Sequence, residues 1–416
     1  MHITLIAGAR PNFMKIAPLI KAIERHNELM SERVSELGSE RVEYRLVHTG
    51  QHYDKNMSDT FFEELGIPVP DVNLGCGGGT QAEQTAHIMV EFEKDLVAHP
   101  TDIVLVVGDV TSTMACSIVA KKLNTKVCHV EAGIRSWDLT MPEEINRMVT
   151  DSLADYMFTT SEVANRNLTR QGAELVESQK SKVERDTLPE DKYAYERVPQ
   201  QVWHVGNVMI DTLLANRARF KKPQVWDEFG LKEKEYIVMT MHRPANVDEE
   251  SHLKAMMEQI ITNVHELPII FPIHPRTAKL FYNLWKPIPN PSLKGGEQES
   301  DSTILQEHFP NLHIVEPMGY LEFNYLVERA KAVVTDSGGI TEETTVMRVP
   351  CITLRDNTER PETCTIGTNE LIGTNPAAIK PALDKLFAGE WKKGAIPELW
   401  DGHTAERIIS ILAGLR

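Results

Sequence analysis

Short apolar runs alternate with helical stretches along most of this chain, and this alternation limits the possible fold more than any other feature. The runs of the first half are Ile3–Ala7, Tyr44–His48, Ile103–Val107, Lys126–Val130 and Tyr156–Thr160. Those of the second half are Tyr236–Met241, Pro268–Ile273, Leu312–Val315, Ala332–Thr335 and Pro350–Leu354. Strands joined by helices need crossover connections, so the pattern predicts βαβ units and parallel sheets covered on both faces.

The two series predict two doubly wound α/β domains. A chain of 416 residues exceeds what one hydrophobic core usually supports. We expect a first domain over 1–205 and a second over 206–397. Two stretches break the alternation: Gln171–Gln201 is charged and lacks apolar periodicity, and Pro287–Ser302 is rich in Pro, Gly and Ser. We interpret the first as a solvated insertion and the second as an exposed loop.

Composition excludes several classes of protein. The net charge of −16 argues against a nucleic-acid partner, because wide phosphate contact needs a basic surface. The five cysteines form no CxxC pair, which is typical of reduced thiols in a cytoplasmic protein. The N-terminus enters a strand directly and does not resemble a signal peptide. No apolar run approaches membrane-spanning length, so we expect no membrane partner.

Polar, unusual turns follow four strands of the first half. They read GARPN, HTGQHYD, GDVTST and HVEAGIRS. In open parallel sheets, ligands bind in the crevice at the carboxyl ends of the strands. The four turns therefore indicate one ligand-binding edge.

Three acidic residues near this edge are candidates for proton transfer, and each has a structural alternative. Asp109 follows a nearly continuous apolar strand, where partial burial would raise its pKa towards that of a useful base, but Asp109 or Thr111 could equally cap the next helix. Glu131 ends another strand, and an ion pair with Arg135 is the competing account. Glu144 lies in PEEINR, which helix rules explain without function.

Basic residues near strand ends indicate an anion pocket. Arg10 and Lys15 in GARPNFMK would suit a phosphate, although, taken alone, a surface helix start with Pro11 at its first position explains them better. GARPNFMK lacks the spacing of a dinucleotide-binding turn or a P-loop. In the second half, basic residues follow three strands: His242, Arg243, His274, Arg276, Arg355 and Arg360. Their repetition in an acidic chain favours binding of an anion.

The stretch VVTDSGGITEE combines a strand, a glycine turn and a helix start, which together form an anion cradle. Gly338 and Gly339 let a phosphate approach the backbone, and Ser337 can donate a hydroxyl. We expect a helix over Ile340–Met347 with Glu342 and Glu343 in its first turn, and Glu343 suits the hydroxyl pair of a ribose. The alternative is a plain turn that Ser337 caps, with acidic residues near the helix dipole.

The motifs together resemble the non-hydrolysing UDP-N-acetylglucosamine 2-epimerases. In that family's order, this chain carries GARPNFMK, HTGQHYD, GDVTST, HVEAGIRS, PEEINR, VGNVMID, MHRPAN, PIHPRT, TDSGGITEE and TERPE. The resemblance implies the GT-B fold, in which two Rossmann-like domains face each other across a cleft, with the last helix (about 398–416) crossing back to the first domain. It also implies a homodimer, and neither a metal nor a nicotinamide cofactor.

The resemblance implies reversible inversion at sugar C2, from UDP-N-acetylglucosamine (UDP-GlcNAc) to UDP-N-acetylmannosamine (UDP-ManNAc). A base removes the C2 proton while UDP leaves C1, and UDP then adds back to 2-acetamidoglucal. By motif, the catalytic group is Asp109, Glu131, Glu144 and His242. We expect Asp109 and Glu144 to transfer protons, Glu131 to orient or assist as an acid, and His242 to hold the diphosphate. The implied substrate-binding residues are Arg10, Lys15, Arg135, Phe323, Ser337, Gly338, Gly339, Glu343 and Arg360.

Some positions depart from the family pattern. Met318 stands where many members have a uracil-contacting Gln, and the run Gln51–Met57 differs from the Gln-His-x-x-Met run of members with an allosteric site. The stretch HTGQHYDKNMSDTFFEELGIPVPD is similar to relatives that epimerise UDP-2,3-diacetamido-glucuronic acid. That substrate, a hydrolysing epimerase, a GT-B glycosyltransferase and a non-catalytic UDP-sugar sensor are the alternatives.

Overall fold

The predicted apolar runs form two parallel sheets in a computed structural model of the protein. The structure describes residues 1–32, 41–50, 64–176, 200–273, 281 and 309–415. Contacts divide the chain into two compact units, Met1–Ala215 with Glu398–Arg416, and Asn216–Pro397. Most of Gln171–Gln201, all of Pro287–Ser302, His274, Arg276 and Gln51–Met57 lie outside the described residues.

The first unit contains a parallel sheet with the strand order β3-β2-β1-β4-β5-β6-β8-β7. Its strands are β1 His2–Ala7, β2 Glu43–His48, β3 Val72–Asn73, β4 Ile103–Val107, β5 Lys126–Val130, β6 Tyr156–Thr159, β7 Glu174–Leu175 and β8 Gln201–His204. Its helices are α1 Arg10–Glu32, α2 Gln81–Ala98, α3 Thr111–Lys122, α4 Pro142–Leu153, α5 Glu162–Thr169 and α6 Val208–Asn216, and α14 Thr404–Gly414 at the end of the chain.

The second unit contains a parallel sheet with the strand order β11-β10-β9-β12-β13-β14. Its strands are β9 Ile237–Thr240, β10 Ile269–Pro272, β11 Leu312–Val315, β12 Ala332–Thr335, β13 Cys351–Thr353 and β14 Asn369–Leu371. Its α-helices are α7 Gln224–Glu228, α8 Pro244–Val247, α9 Glu250–Thr262, α10 Tyr320–Arg329, α11 Gly338–Met347, α12 Pro361–Thr365 and α13 Ile379–Phe387, with 3₁₀ turns at Arg217–Arg219 and Pro376–Ala378.

Both sheets repeat the doubly wound strand order of a Rossmann-like fold. In each, the first strand of the series pairs on one side with the second and on the other with the fourth. The order therefore reverses between β1 and β4 in the first unit and between β9 and β12 in the second. Such switch points open a crevice at the carboxyl ends of the strands. The turns after these four strands carry predicted site residues.

The central strands are buried on both faces, which explains their continuous apolar sequence. Every residue of Ile103–Val107 is buried, and the same hydrophobic core takes Phe92 from α2 and Val119 from α3. The core of the second unit joins strand residues such as Ile237 and Phe271 to α9 and α13. Parallel strands covered by helices need such sequences, because neither face meets water.

Two details of the prediction are wrong. The stretch interpreted as a solvated insertion begins with a short strand, β7, which pairs with β8 at the sheet edge. Helix α11 begins at Gly338, so Glu342 and Glu343 lie in its second turn and not in its first. The glycine pair therefore supplies the first helical residues, and both glutamates face the buried side of the helix.

Candidate active site

Asn12 of α1 fixes the turn after β1. Asn12 Oδ1 accepts hydrogen bonds from the backbone N–H groups of Gly8 (3.1 Å) and Ala9 (2.9 Å), while its Nδ2 donates to the Val107 carbonyl at 2.9 Å. These bonds tie the turn after β1 to the end of β4. Sequence reasoning missed Asn12, although its polar side chain at a helix start could have indicated a capping role. The side chain of Arg10 lies outside the described part of the structure.

Lys15 and Glu131 form a buried ion pair. Lys15 Nζ lies 2.6 Å from Glu131 Oε2, with side-chain exposures of 9% and 2%. The alternative pairing of Glu131 with Arg135 is wrong, because Arg135 contacts Asp151 instead, at 2.6 Å. Glu131 adopts φ +70°, a left-handed conformation that costs a non-glycine residue about 1–2 kcal/mol. Strain of this kind gathers at functional sites.

Arg147 connects Asp109 to Glu144. Its NH1 donates to Asp109 Oδ2 at 2.5 Å, and its Nε and NH2 lie 3.0 and 2.8 Å from Glu144 Oε2. The Glu144 carboxylate is fully buried and also accepts the backbone N–H groups of Ser136 (3.0 Å) and Trp137 (3.1 Å). Asp109 is 30% exposed. Of the two carboxylates, Asp109 is therefore the one that solvent or a substrate reaches in this structure.

Asp151 anchors the turn after β5. Its Oδ2 accepts the Gly133 N–H at 3.0 Å and pairs with Arg135, and its Oδ1 lies 2.6 Å from His129 Nδ1. Burial acts to raise the pKa of Asp151, but the neighbouring His129 and Arg135 outweigh it and hold the pKa below its usual value. Arg135 thus has a buried structural partner.

Sequence reasoning missed Arg147 and Asp151 as site residues, although a signal was present. Glu144, Arg147 and Asp151 follow the spacing i, i+3, i+7, which places all three on one face of α4. That face is buried. Charged residues on the buried side of a helix are uncommon and need partners, so the spacing could have indicated a polar network.

In the second unit, Asp336 fixes the turn that carries His242. The Asp336 carboxylate accepts the backbone N–H groups of His242 and Arg243, and it lies 3.0 Å from His242 Nδ1. Asn246 Nδ2 donates to the same carboxylate at 3.1 Å. Burial acts to raise the pKa of Asp336, but hydrogen bonds and the charge of His242 lower it overall. His242 is 44% exposed, whereas Asp336 is fully buried.

The glycine turn after β12 lies against an Arg–Glu pair. The Ser337 N–H donates to Thr335 Oγ1 at 3.0 Å, and the Ser337 side chain makes no capping hydrogen bond, so the plain capped-turn alternative is not what the structure shows. A Cβ built on Gly338 would lie 3.5 Å from both Arg355 NH1 and Glu359 Oε1. Arg355 pairs with Glu359 at 2.5 Å. Burial opposes the charge of Glu359, but Arg355 and Arg360 lower its pKa to about 2.

Glu343 is a buried carboxyl group next to α10. Tyr320 donates its hydroxyl to Glu343 Oε1 at 2.9 Å. Burial raises the pKa of Glu343 to about 7, and neighbouring Glu342 adds to the rise. Arg360 pairs with Glu342 at 2.5 Å and not with Glu343. Phe323 is half-buried and lies one turn after Tyr320, so the predicted uracil and ribose positions belong to neighbouring elements.

Metal-binding clusters and membrane-spanning helices were sought among the described residues alone. Within them, no group of three or more His, Cys, Asp and Glu side chains could hold a metal ion. No helix among them is long and apolar enough to cross a membrane.

The sequence and the structure were compared with those of known proteins, and both are similar to sugar-nucleotide 2-epimerases. A sequence model of the UDP-N-acetylglucosamine 2-epimerase family matches residues 35–413. The UDP-N-acetylglucosamine 2-epimerase of Methanocaldococcus jannaschii is 37% identical over 421 residues, 99% of each chain. The UDP-2,3-diacetamido-2,3-dideoxy-D-glucuronate 2-epimerase of Pseudomonas aeruginosa is 34% identical over 375 residues, 90% of this chain and 88% of that one. The crystal structure of the M. jannaschii enzyme with UDP-GlcNAc and UDP matches with a TM-score of 0.78, at 35% identity and with full coverage of both chains.

The two parallel sheets and this solved structure define a two-domain α/β protein of the GT-B class, which confirms the predicted fold. The matched residues make up most of the sequence, and the chain belongs to the UDP-N-acetylglucosamine 2-epimerase family. Epimerases are isomerases, so the prediction of an isomerase is also confirmed.

Proposed function

We propose that this protein is a non-hydrolysing UDP-GlcNAc 2-epimerase that interconverts UDP-GlcNAc and UDP-ManNAc. The observation that carries the proposal is the network of the first unit, in which Asp109, Glu131 and Glu144 are each held by a named cation beside the β1–β4 switch point. Full-length similarity to a 2-epimerase crystallised with UDP-GlcNAc and UDP supports the substrate class. An ion pair holds a carboxylate in a fixed orientation, which a general base requires.

The proposed reaction proceeds by elimination and re-addition. A carboxylate takes the C2 proton, the C2–H electron pair forms the C1–C2 double bond, and the C1–oxygen bond breaks to release UDP. The products are UDP and 2-acetamidoglucal. In the return step, UDP oxygen attacks C1 and a proton reaches the other face of C2. The reaction is a net isomerisation that consumes no oxidant, no reductant and no water.

The geometry refines the roles of the catalytic residues in the first unit. Asp109 is the exposed carboxylate and is proposed as one proton-transfer group. Glu131, next to Lys15, is proposed as the second. Glu144 was expected to transfer a proton, but four protein hydrogen-bond donors occupy its buried carboxylate, so we propose that it holds Arg147 against Asp109. Replacement of Glu144 would then lower activity through Asp109.

The second unit supplies groups suited to UDP. We propose that His242, held by Asp336, binds the diphosphate, with the Ser337 hydroxyl and the N–H groups of Gly338 and Gly339 at the start of α11. The remaining nucleotide positions are proposed as Glu343 for the ribose, Phe323 for the uracil, and Arg10, Lys15, Arg135 and Arg360 for charge. Within this group, Lys15, Arg135 and Arg360 already have carboxylate partners, which fix their orientation.

Deuterium exchange tests the proposal. The full-length protein is incubated with UDP-GlcNAc in deuterated water, and C2 is followed by NMR. The expected result is deuterium at C2, appearance of UDP-ManNAc and little free UDP. Asp109→Asn should abolish exchange while UDP binding persists. Free UDP released in step with turnover would indicate a hydrolysing enzyme, and UDP-GlcNAc binding without exchange would contradict the assignment.

A second candidate substrate is UDP-2,3-diacetamido-glucuronic acid. The observation that favours it is the 34% identity with the P. aeruginosa 2-epimerase of that sugar nucleotide. Both substrates share the UDP group and the C2 acetamide, and they differ at C3 and C6. Parallel exchange assays with equal concentrations of the two nucleotides decide between them, because the better substrate shows the larger kcat/KM.

We also infer a cytoplasmic homodimer. All five cysteines are free thiols and four are buried, which suits a reducing compartment.

On α2, Val90 and Val97 are 50% and 63% exposed and lie seven residues apart on one helix face. A second copy of this face would bury both valines symmetrically. Light scattering of the purified protein tests the dimer, and Val90→Lys with Val97→Lys should convert it to a monomer.

A further inference from the structure

His129 is a fully buried histidine that contacts hydrogen-bonding groups with both ring nitrogens. It lies on β5, two residues before Glu131. Its Nδ1 is 2.6 Å from Asp151 Oδ1, and its Nε2 is 2.8 Å from the Gly108 carbonyl oxygen. Gly108 directly precedes Asp109. The ring therefore lies between the turn that carries the proposed base and the helix that supports Arg147.

The hydrogen bonds define which nitrogens carry protons. A carbonyl oxygen can only accept, so Nε2 must donate to Gly108. The other Asp151 oxygen accepts the Gly133 N–H and pairs with Arg135, as expected for an ionised carboxylate. An ionised carboxylate also only accepts, so Nδ1 must donate to it. His129 is thus an imidazolium with a proton on each nitrogen.

Both backbone polar groups of Gly108 are hydrogen-bonded. Its N–H donates to the Val130 carbonyl at 3.0 Å, and its own carbonyl accepts from His129. Gly108 has φ +66°, so the chain turns sharply here and Asp109 follows at once. Removal of the His129 bond would take away the hydrogen bond that fixes the Gly108–Asp109 peptide at its carbonyl. Asp109 would then keep its contact with Arg147 but lose its fixed approach to a substrate.

Taking the proposed epimerase function as given, we propose that His129 is a positioning residue, a buried imidazolium whose Nε2–H fixes the Gly108 carbonyl and so orients the Asp109 carboxylate. Asp151 keeps the ring in this state, and it holds the turn after Glu131 through Gly133. One ion pair therefore sets the geometry of both turns. His129 itself touches no substrate.

Two matched substitutions separate the two hydrogen bonds. His129→Gln places an amide nitrogen near the Nε2 position and keeps a donor to Gly108, whereas His129→Asn places one near Nδ1 and keeps a donor to Asp151. The proposal predicts that the Asn variant loses about 100-fold in kcat for C2 exchange, as expected for a base displaced by about 1 Å. The Gln variant should lose clearly less. Both should bind UDP as the wild type does.

A merely structural role predicts the reverse order. If His129 only neutralised Asp151, the Asn variant would be the more active one. Equal losses, or a greater loss in the Gln variant, would overturn the proposal. A loss confined to KM with unchanged kcat would also overturn it, because a misplaced base slows the chemical step.

The protonation state has a test that does not depend on activity or on stable variants. In ¹⁵N-histidine-labelled wild-type protein at neutral pH, the two His129 nitrogens should both show directly bound protons and imidazolium shifts. A neutral single tautomer would refute the assignment. If the wild type shows this signature but exchanges no C2 proton with either nucleotide, the proposed function fails while the buried imidazolium stands.

Discussion

Lys15 and Glu131 are 116 positions apart in sequence, yet Lys15 Nζ lies 2.6 Å from Glu131 Oε2 in the interior of the first unit. Lys15 is on α1, after β1, and Glu131 directly follows β5. Strand β4 lies between these two strands in the sheet, so the pair crosses over the turn at Gly108. A bulky side chain at that turn would separate the two charges.

Loss of one partner of this pair should cost more than loss of both. Lys15→Met removes the cation that lies 2.6 Å from the buried Glu131 carboxylate, and breaking a buried ion pair in this way typically costs about 3–5 kcal/mol. The double variant Lys15→Met/Glu131→Gln should recover most of that loss, because no buried charge remains. Chemical unfolding of the four proteins of this double-mutant cycle measures the coupling. A cost below about 1 kcal/mol for Lys15→Met would contradict a buried ion pair.

Substitution of Gly108 should disrupt the network beyond the cost of backbone strain. A Cβ at Gly108 would lie 2.8 Å from Lys15 Nζ, at φ +66°. Gly75 has φ +67°, and a Cβ there meets none of the described atoms within 4 Å, so Gly75→Ala is a matched control for strain alone. The control should cost about 1–2 kcal/mol. Gly108→Ala should lower the stability measured by thermal unfolding more than the control does, and it should abolish C2 exchange. Equal effects of the two variants would show that the close contact with Lys15 is unimportant.

The sequence predicted the central strands well because of their burial. Ile103–Val107 and Ala332–Thr335 have their predicted bounds in the structure, since strands covered on both faces need nearly continuous apolar runs. Strands β3, β7, β8 and β14 were missed. They contain two to four residues each, which gives little or no periodic signal.

The partners of the charged residues were harder to predict than the charges themselves. Asp109 and Glu131 were recognisable because each follows an apolar strand, but Lys15 as the partner of Glu131 depends on a long-range contact that no local pattern encodes. Asp336 directly follows β12 and escaped notice beside the glycine turn. Its role depends on β9 being the neighbouring strand, which follows from the strand order alone.

Replacement of Asp336 should loosen the turn of His242 in a pH-dependent way. In Asp336→Asn, one accepting oxygen becomes an N–H donor that faces the donors of His242, Arg243 and Asn246, and we expect a loss of roughly 2–3 kcal/mol. The native pKa is lowered, so the carboxylate stabilises the fold above its unfolded-state value of about 3.9, and this contribution is lost as the pH falls further. Melting temperatures of wild type and variant should therefore differ above about pH 4 and converge as the pH falls below that value.

An exposed aspartate in the same unit provides the control. Asp384 on α13 is 53% exposed and pairs with Lys380 four residues earlier. Asp384→Asn should change stability by at most about 0.5 kcal/mol, as is usual for surface pairs. Asp336→Asn should also weaken UDP binding, which Asp384→Asn should not. Equal changes in stability and UDP binding in the two variants would contradict the proposed role of Asp336 in fixing His242.

The buried carboxyl group of Glu343 should give the opposite pH dependence. Its pKa is raised from 4.5 to about 7 in the folded state by burial, so the folded protein binds the proton more tightly than the unfolded chain. Its stabilising contribution is complete below pH 4.5 and declines as the pH rises to 7, by roughly 3 kcal/mol over that interval. Glu343→Gln removes the titrating group. Its stability relative to wild type should therefore increase from pH 4.5 to pH 8, whereas the exposed control Glu390→Gln should show a constant difference. If the stability difference between Glu343→Gln and wild type stays constant over the same range, Glu343 is ionised throughout that range. A ribose-binding carboxylate would then need no proton release before UDP binds.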